Sequence, residues 1–127
     1  MWVLITGTRD VRDRVKAEQL IRSLLLKAQQ EHEVVKGIHG AAEGIDSLFA
    51  EICKDLGIEA EPWPAHLFYS PLARNVFMAK LAKGLIDEGE TVVCWAFARS
   101  WRSGTGHCAR KAREFGVPTI DYGVSTA

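Results

Sequence analysis

The feature that most constrains this chain is a regular alternation of short apolar runs with longer stretches of helical periodicity. Residues 2–5 and 91–97 are apolar runs of the kind found in strands covered on both faces. In residues 45–56 the apolar side chains recur at intervals of three and four, and Gly57 follows as a helix end. The same patterns predict further strands at 34–38, 58–63 and 118–120, and further helices at 13–30, 71–86 and 105–115.

Strands that alternate with helices predict a parallel sheet with helices on both faces. We therefore expect an α/β fold: a Rossmann-like, doubly wound, mostly parallel sheet of about five strands. A length of 127 residues suits a single domain, here expected to span 1–122, with a flexible tail at 123–127. In such sheets ligands bind beyond the carboxyl ends of the strands, so the loops that follow the strands are the places to search.

Charge and cysteine content narrow the classes of protein to consider. Sixteen basic residues balance sixteen acidic ones, so nothing in the overall charge attracts nucleic acid or an anionic membrane. Cys53, Cys94 and Cys108 are widely spaced and odd in number, which favours free thiols in a reducing compartment. No signal-peptide pattern or membrane-length apolar run is present, so we expect a cytoplasmic protein. The four histidines lack metal-ligand spacing, and neither a metal nor a cofactor is expected.

The loop after the first strand, TGTRD at 6–10, has phosphate-binding chemistry. Gly7 allows a sharp turn and a close backbone approach, while Thr8 and Arg9 supply hydrogen-bond donors. The alternative is a tight turn in which an aspartate caps the following helix.

The loop after the second strand is HGAAEGID at 39–46. Small residues such as Gly40 at a helix start leave N–H groups that can face a phosphate. His39 can donate to that phosphate or pack as a hydrogen-bonded core histidine. Glu43 and Asp46 can accept ribose hydroxyls or a base amino group, and Asp46 can instead stabilise the first turn of its helix.

Two further segments add cations and small residues. Arg74 stands in the first turn of a predicted helix, where the helix dipole disfavours it, so it either reaches an anion or is a solvated surface residue. The segment 98–107 places SGTG at another helix start, a second phosphate cradle. Trp101 can stack on a base, or serve as a packed anchor or a dimer contact. The residues expected around a ligand in these two segments are Arg74, Asn75, Arg99, Trp101, Ser103, Gly104 and Thr105.

Taken in order, these motifs resemble the YspA-type members of the SLOG superfamily, a Rossmann-like group that includes the DNA-processing protein A and Lonely Guy proteins. TGTRD at 6–10 is similar to the family's TGSRD, HGAAEGID at 39–46 to HGGARGAD, and PLARNVFM at 71–78 to GPIRNxxM. Gly104 and Thr105 stand where PGGxGT ends. Ala41 replaces a glycine and Glu43 an arginine. The resemblance implies a nucleotide-like ligand surrounded by Gly7, Thr8, Arg9, Gly40, Asp46, Arg74, Asn75, Gly104 and Thr105.

The leading functional hypothesis is a module that senses or sequesters a nucleotide or a nucleotide-derived phosphate ligand. The alternative is a phosphoribohydrolase of the Lonely Guy type. This reaction needs a carboxylate or a similar group, and none follows Thr105 until Glu114, so the catalytic candidates are Glu43, Asp46 and His107. Single-stranded DNA binding is a third hypothesis, disfavoured by the neutral charge. The expected partner is a nucleotide-like small molecule, with no membrane and a possible homo-oligomer formed through Trp101 or residues 68–69.

Overall fold

Strands and helices alternate along the chain as the apolar pattern predicts. The structure, a computed structural model, describes residues 1–98 and 103–123. Predicted and observed boundaries agree to within two residues. In chain order the elements are β1 (Trp2–Gly7), α1 (Arg14–Glu31), β2 (Lys36–His39), α2 (Ile45–Leu56), β3 (Glu59–Pro62), a 3₁₀ turn (Ala65–Leu67), α3 (Pro71–Asp87), β4 (Val92–Phe97), α4 (Gly104–Glu114) and β5 (Thr119–Asp121).

The five strands form one sheet in the order β3-β2-β1-β4-β5, and every pair is parallel. The chain moves outward from β1 to β3, then returns through α3 and begins β4 on the other side of β1. The expected Rossmann-like α/β sheet is confirmed. Because the direction of winding reverses between β1 and β4, a crevice is expected beyond the carboxyl ends of these two strands.

Alternating side chains of the central strands fill two separate layers. Val3 and Ile5 of β1 pack with Trp95 and Phe97 of β4 against α1 and α2. Leu4 points to the opposite face, where the apolar side chains of α3 and α4 cover it. Both faces are therefore buried, which explains why β1 and β4 are continuous apolar runs rather than alternating ones.

Local capping sets the helix ends. The Asp13 side chain accepts a hydrogen bond from the N–H of Lys16 at 3.0 Å, so α1 begins one residue later than predicted and Asp13 is its N-cap. Gly57, with φ of 71°, ends α2 in the left-handed conformation.

No helix among residues 1–98 and 103–123 is long and apolar enough to cross a membrane. Of the predicted tail, Gly123 is described and residues 124–127 lie outside the described residues.

Candidate functional site

A cleft of about 280 Å³ lies beyond the carboxyl ends of β1 and β4, at the point where the winding reverses. It is built from the loop after β1, the beginnings of α2 and α3, and the beginning of α4. Most of the ligand-binding residues predicted from sequence lie together here. The lining residues are Thr6, Gly7, Thr8, Arg9, Ala42, Asp46, Pro71, Arg74, Asn75, Ser103, Gly104 and Thr105.

Two glycines allow the β1 loop and the beginning of α2 to come into contact. A Cβ on Gly7 would lie 2.3 Å from the Cβ of Ile45. Gly44 has φ of 81°, and a Cβ there would lie 2.4 Å from the carbonyl oxygen of Thr8. At this contact the N–H of Ile45 donates to that same carbonyl at 3.2 Å. Gly7 is therefore a packing requirement of the cleft wall, in addition to its place in the lining.

The loop between β2 and α2 is organised around the carboxylate of Asp46. Asp46 Oδ2 accepts the N–H groups of Gly40 at 3.1 Å and Ala42 at 3.3 Å, and the N–H of Ala41 donates to His39 Nδ1 at 3.0 Å. The N–H groups of residues 40–42 are therefore not unpaired donors, because the protein's own side chains accept their hydrogen bonds. A phosphate at this helix start stays a prediction. Ala41 has φ of 54°, a conformation that favours glycine, the residue that the resembled motif carries there.

Asp46 itself is 5% exposed and lies in the wall of the cleft. Burial raises its pKa to about 6, against the opposing effects of the Ala42 N–H and the Arg74 charge. The carboxyl group is therefore mostly ionised at neutral pH. Within the described residues, its second oxygen, Oδ1, is buried without a hydrogen-bond partner.

Arg74 connects three segments of the site. It is 7% exposed, so the interpretation as a solvated surface residue is wrong. Its Nη1 donates to the carbonyl oxygens of Gly40 at 2.6 Å and Trp63 at 3.3 Å, and its Nε donates to Asn75 Oδ1 at 2.9 Å. A Cβ on Gly40 would lie 2.5 Å from Nη1, so this position has no room for a side chain. These carbonyl partners account for an arginine in the first turn of α3 without a bound anion.

The orientation of the Asn75 amide follows from Arg74. Because Nε of Arg74 is a donor, the atom that faces it is Asn75 Oδ1, and Nδ2 faces α4. Nδ2 donates to the carbonyl of Gly104 at 3.1 Å and lies 3.3 Å from His107 Nδ1. His107 Nδ1 is then the acceptor, which places the ring proton on Nε2. Burial lowers the pKa of His107, and the cations of Lys111 and Arg110 lower it further, which favours this neutral form.

The beginning of α4 contributes backbone N–H groups to the wall of the cleft. The Ser103 hydroxyl oxygen accepts the N–H of Gly106 at 3.2 Å, and the N–H of His107 donates to the Ser103 carbonyl. The N–H groups of Gly104 and Thr105 belong to the first turn, which makes no internal hydrogen bonds with its N–H groups. This turn contains no acidic residue, whereas the first turn of α2 contains Asp46. The amino terminus of α4 is therefore the better place for an anion.

Other predicted residues lie outside the cleft lining. His39 is buried and meets Phe49 edge to face at 6.2 Å between ring centroids, and burial lowers its pKa, which favours the packed core histidine. Glu43 is exposed, and His107 contacts the site through Asn75. Arg99 and Trp101 lie outside the described residues.

Sequence reasoning missed three lining residues, Thr6, Ala42 and Pro71. Each one lies within a motif that was singled out, so its position in the motif was the available signal. Among the described residues no three His, Cys, Asp or Glu side chains form a group that could hold a metal ion.

The three cysteines are buried and free. Burial raises the pKa of Cys53 and Cys108 to about 12, so these two thiols remain protonated.

Comparison with known proteins shows a similarity to a phage protein. The chain is 29% identical over 130 residues to the Gene 61 protein of Mycobacterium phage D29, and the match covers 95% of each chain. The similarity therefore extends over nearly the full length of the chain. It assigns no function, because the name of that protein states no activity. No model of a known protein family matches the chain.

Proposed function

We propose that the cleft binds a nucleotide or a nucleotide-derived phosphate compound, and that the chain is a SLOG-type module that senses or sequesters this ligand. The observation that carries the proposal is the meeting of the β1 loop with the amino terminus of α4 at the sheet's switch point. Ligands of parallel α/β sheets bind at this point, and phosphates bind at helix amino termini.

The chemistry of the lining supports a phosphate on the α4 side of the cleft. Thr8 and Thr105 supply hydroxyl groups, the first turn of α4 supplies N–H groups, and Arg9 adds a cation in the lining. The carboxylate of Asp46 lies on the α2 side, where it repels an anion. The cleft therefore has an end suited to an anion and an end suited to a hydrogen-bond donor.

A phosphoribohydrolase is the second candidate, and one observation favours it. Asp46 is a buried carboxylate with a raised pKa in the wall of the cleft, the environment in which glycosidic hydrolysis places its acids and bases. Glu43 is exposed and outside the lining, so of the two carboxylates proposed from sequence Asp46 is the one to test. Release of free base from nucleoside monophosphates, lost in Asp46→Asn, is the result expected for the enzyme.

Calorimetric titration of the full chain with AMP, ADP and ADP-ribose tests the binding proposal. The sharpest variant is Gly104→Asp, because a Cβ at Gly104 meets no atom of the described residues within 4 Å and a carboxylate in a first helical turn stabilises the helix by about 0.3–1 kcal/mol. The protein should remain folded while phosphate affinity falls at least about tenfold, the effect of one charged interaction. Gly104→Ala is the matched control, with the same Cβ and no charge, and should bind within about threefold of the wild type.

Unchanged binding in Gly104→Asp contradicts the placement of the phosphate at α4. The absence of binding by the wild-type chain to any of the three compounds contradicts the proposed function itself.

A further inference from the structure

The unpartnered oxygen of Asp46 is a feature that the fold does not explain. One carboxylate oxygen, Oδ2, organises the loop by accepting the N–H groups of Gly40 and Ala42. The other, Oδ1, is buried and accepts no hydrogen bond among the described residues. Buried carboxylate oxygens without donors are costly and uncommon in folded proteins, so this one calls for a partner.

Several of the neighbouring donors are directed at other acceptors. The guanidinium of Arg74 is directed at the carbonyl oxygens of Gly40 and Trp63 through Nη1 and at Asn75 through Nε. The amide of Asn75 is in turn directed at Gly104 and His107. Asp46 lines the cleft, so a ligand bound there is the source in which we look for a further donor to Oδ1.

We infer that Asp46 accepts a hydrogen bond from a sugar hydroxyl of the ligand, so that the cleft selects ribonucleotide compounds over their deoxy counterparts. This inference rests on the proposed function. A phosphate at the amino terminus of α4 leaves the sugar of the same molecule to face the α2 side of the cleft. The sugar hydroxyls are the donors closest to the phosphate of a nucleotide, while the N–H groups of the base lie farther away, beyond the glycosidic bond.

The environment of Asp46 makes this contact selective. The carboxylate is held from one side by two backbone N–H groups, so it cannot turn away from a ligand that lacks the hydroxyl without breaking them. A site whose polar group is left unpaired by an analogue discriminates strongly against that analogue. The fraction of Asp46 that is ionised at neutral pH accepts hydrogen bonds and donates none.

The test is calorimetric titration of the full chain at pH 7.5 with AMP, GMP, CMP and UMP and with the 2′-deoxy and 3′-deoxy form of each. The wild type should prefer the ribonucleotide over at least one deoxy form by about tenfold or more, the effect of one hydrogen bond to a charged group. In Asp46→Asn the loop N–H groups require the amide oxygen, so the amide nitrogen takes the place of Oδ1. This variant should lose ribonucleotide affinity about tenfold while deoxynucleotide affinity changes less than about threefold.

Glu43→Gln is the matched control, since it removes an exposed carboxylate of the same loop from outside the lining and should leave the preference unchanged. Binding of nucleotides by the wild type without any ribose preference overturns the inference and leaves the proposed function standing. An equal loss of both classes in Asp46→Asn also overturns it, because a structural role would weaken every ligand alike. Binding of no nucleotide by the wild type overturns both proposals.

Discussion

Replacing Asp46 by asparagine should stabilise the free protein at neutral pH, although the residue lies in the candidate site. Burial raises the pKa of Asp46 from 3.8 to about 6. A rise of about two units, at 1.36 kcal/mol per unit, corresponds to about 3 kcal/mol that disfavours the ionised carboxylate in the folded state. Asparagine keeps the acceptor for the N–H groups of Gly40 and Ala42 and carries no charge. We expect a gain of about 1–3 kcal/mol in the free energy of unfolding at pH 7.5.

The pH dependence of this gain identifies its cause. The pKa of Asp46 is higher in the folded than in the unfolded state, so the folded chain retains a proton that the unfolded chain has released. The stability contributed by this group is fully present below about pH 4 and is lost as the pH rises through about 6. The wild type and Asp46→Asn should therefore have similar stability near pH 4 and differ most above pH 6.

Urea unfolding of both proteins at intervals from pH 4 to pH 8 measures this difference directly. Titration of every other group is common to the two proteins and cancels in the comparison. A constant offset across the range, or a less stable variant above pH 6, would refute the reasoning, since the carboxylate would then be satisfied in the folded state.

The remaining predictions concern the backbone and the arginine that shape the cleft. Gly44→Ala should lower the free energy of unfolding by at least about 2 kcal/mol, because its Cβ would meet the Thr8 carbonyl in addition to the strain of positive φ. Gly57→Ala, which has positive φ and no such contact among the described residues, should lower it by about 1 kcal/mol. Equal losses in urea unfolding would contradict the close approach at Gly44. Ala41→Gly should stabilise the protein by about 0.5–1 kcal/mol by relieving φ of 54°, and a lower unfolding midpoint would count against that strain. Arg74→Lys should cost about 2–4 kcal/mol because lysine cannot reproduce the three directed hydrogen bonds, and a loss below about 0.5 kcal/mol would show that they contribute little.

The fold could be predicted from local sequence because each signal is local. Residues 45–56 keep helical spacing up to Gly57, and the central strands are apolar throughout because both faces of the sheet are covered. Because the strands are parallel, the glycine- and threonine-rich loops lie at one edge of the sheet, and the structure adds that the winding reverses between β1 and β4. The edge at which the cleft lies therefore followed from sequence, whereas the strand order did not.

The partners within the cleft could not be predicted, because they join distant parts of the chain. Sequence gives no sign that Arg74 donates to Gly40, 34 residues away, so it could not separate an anion ligand from a buried connector. It also could not show that Asp46 accepts the loop N–H groups that a phosphate would need. Both results depend on tertiary geometry, and of the two helix starts predicted as phosphate cradles they favour α4 over α2.

The most direct test of the proposed site is a titration of the ¹⁵N-labelled protein with AMP and with ADP-ribose, followed by amide NMR spectra. We predict that the largest shifts occur at the N–H groups of Gly104 and Thr105. Smaller changes are expected at Thr8, whose N–H donates to the Phe97 carbonyl, and at Gly40 and Ala42, whose N–H groups donate to Asp46. Saturable shifts centred on a different surface, or no shifts with either compound, would contradict a nucleotide site at this cleft.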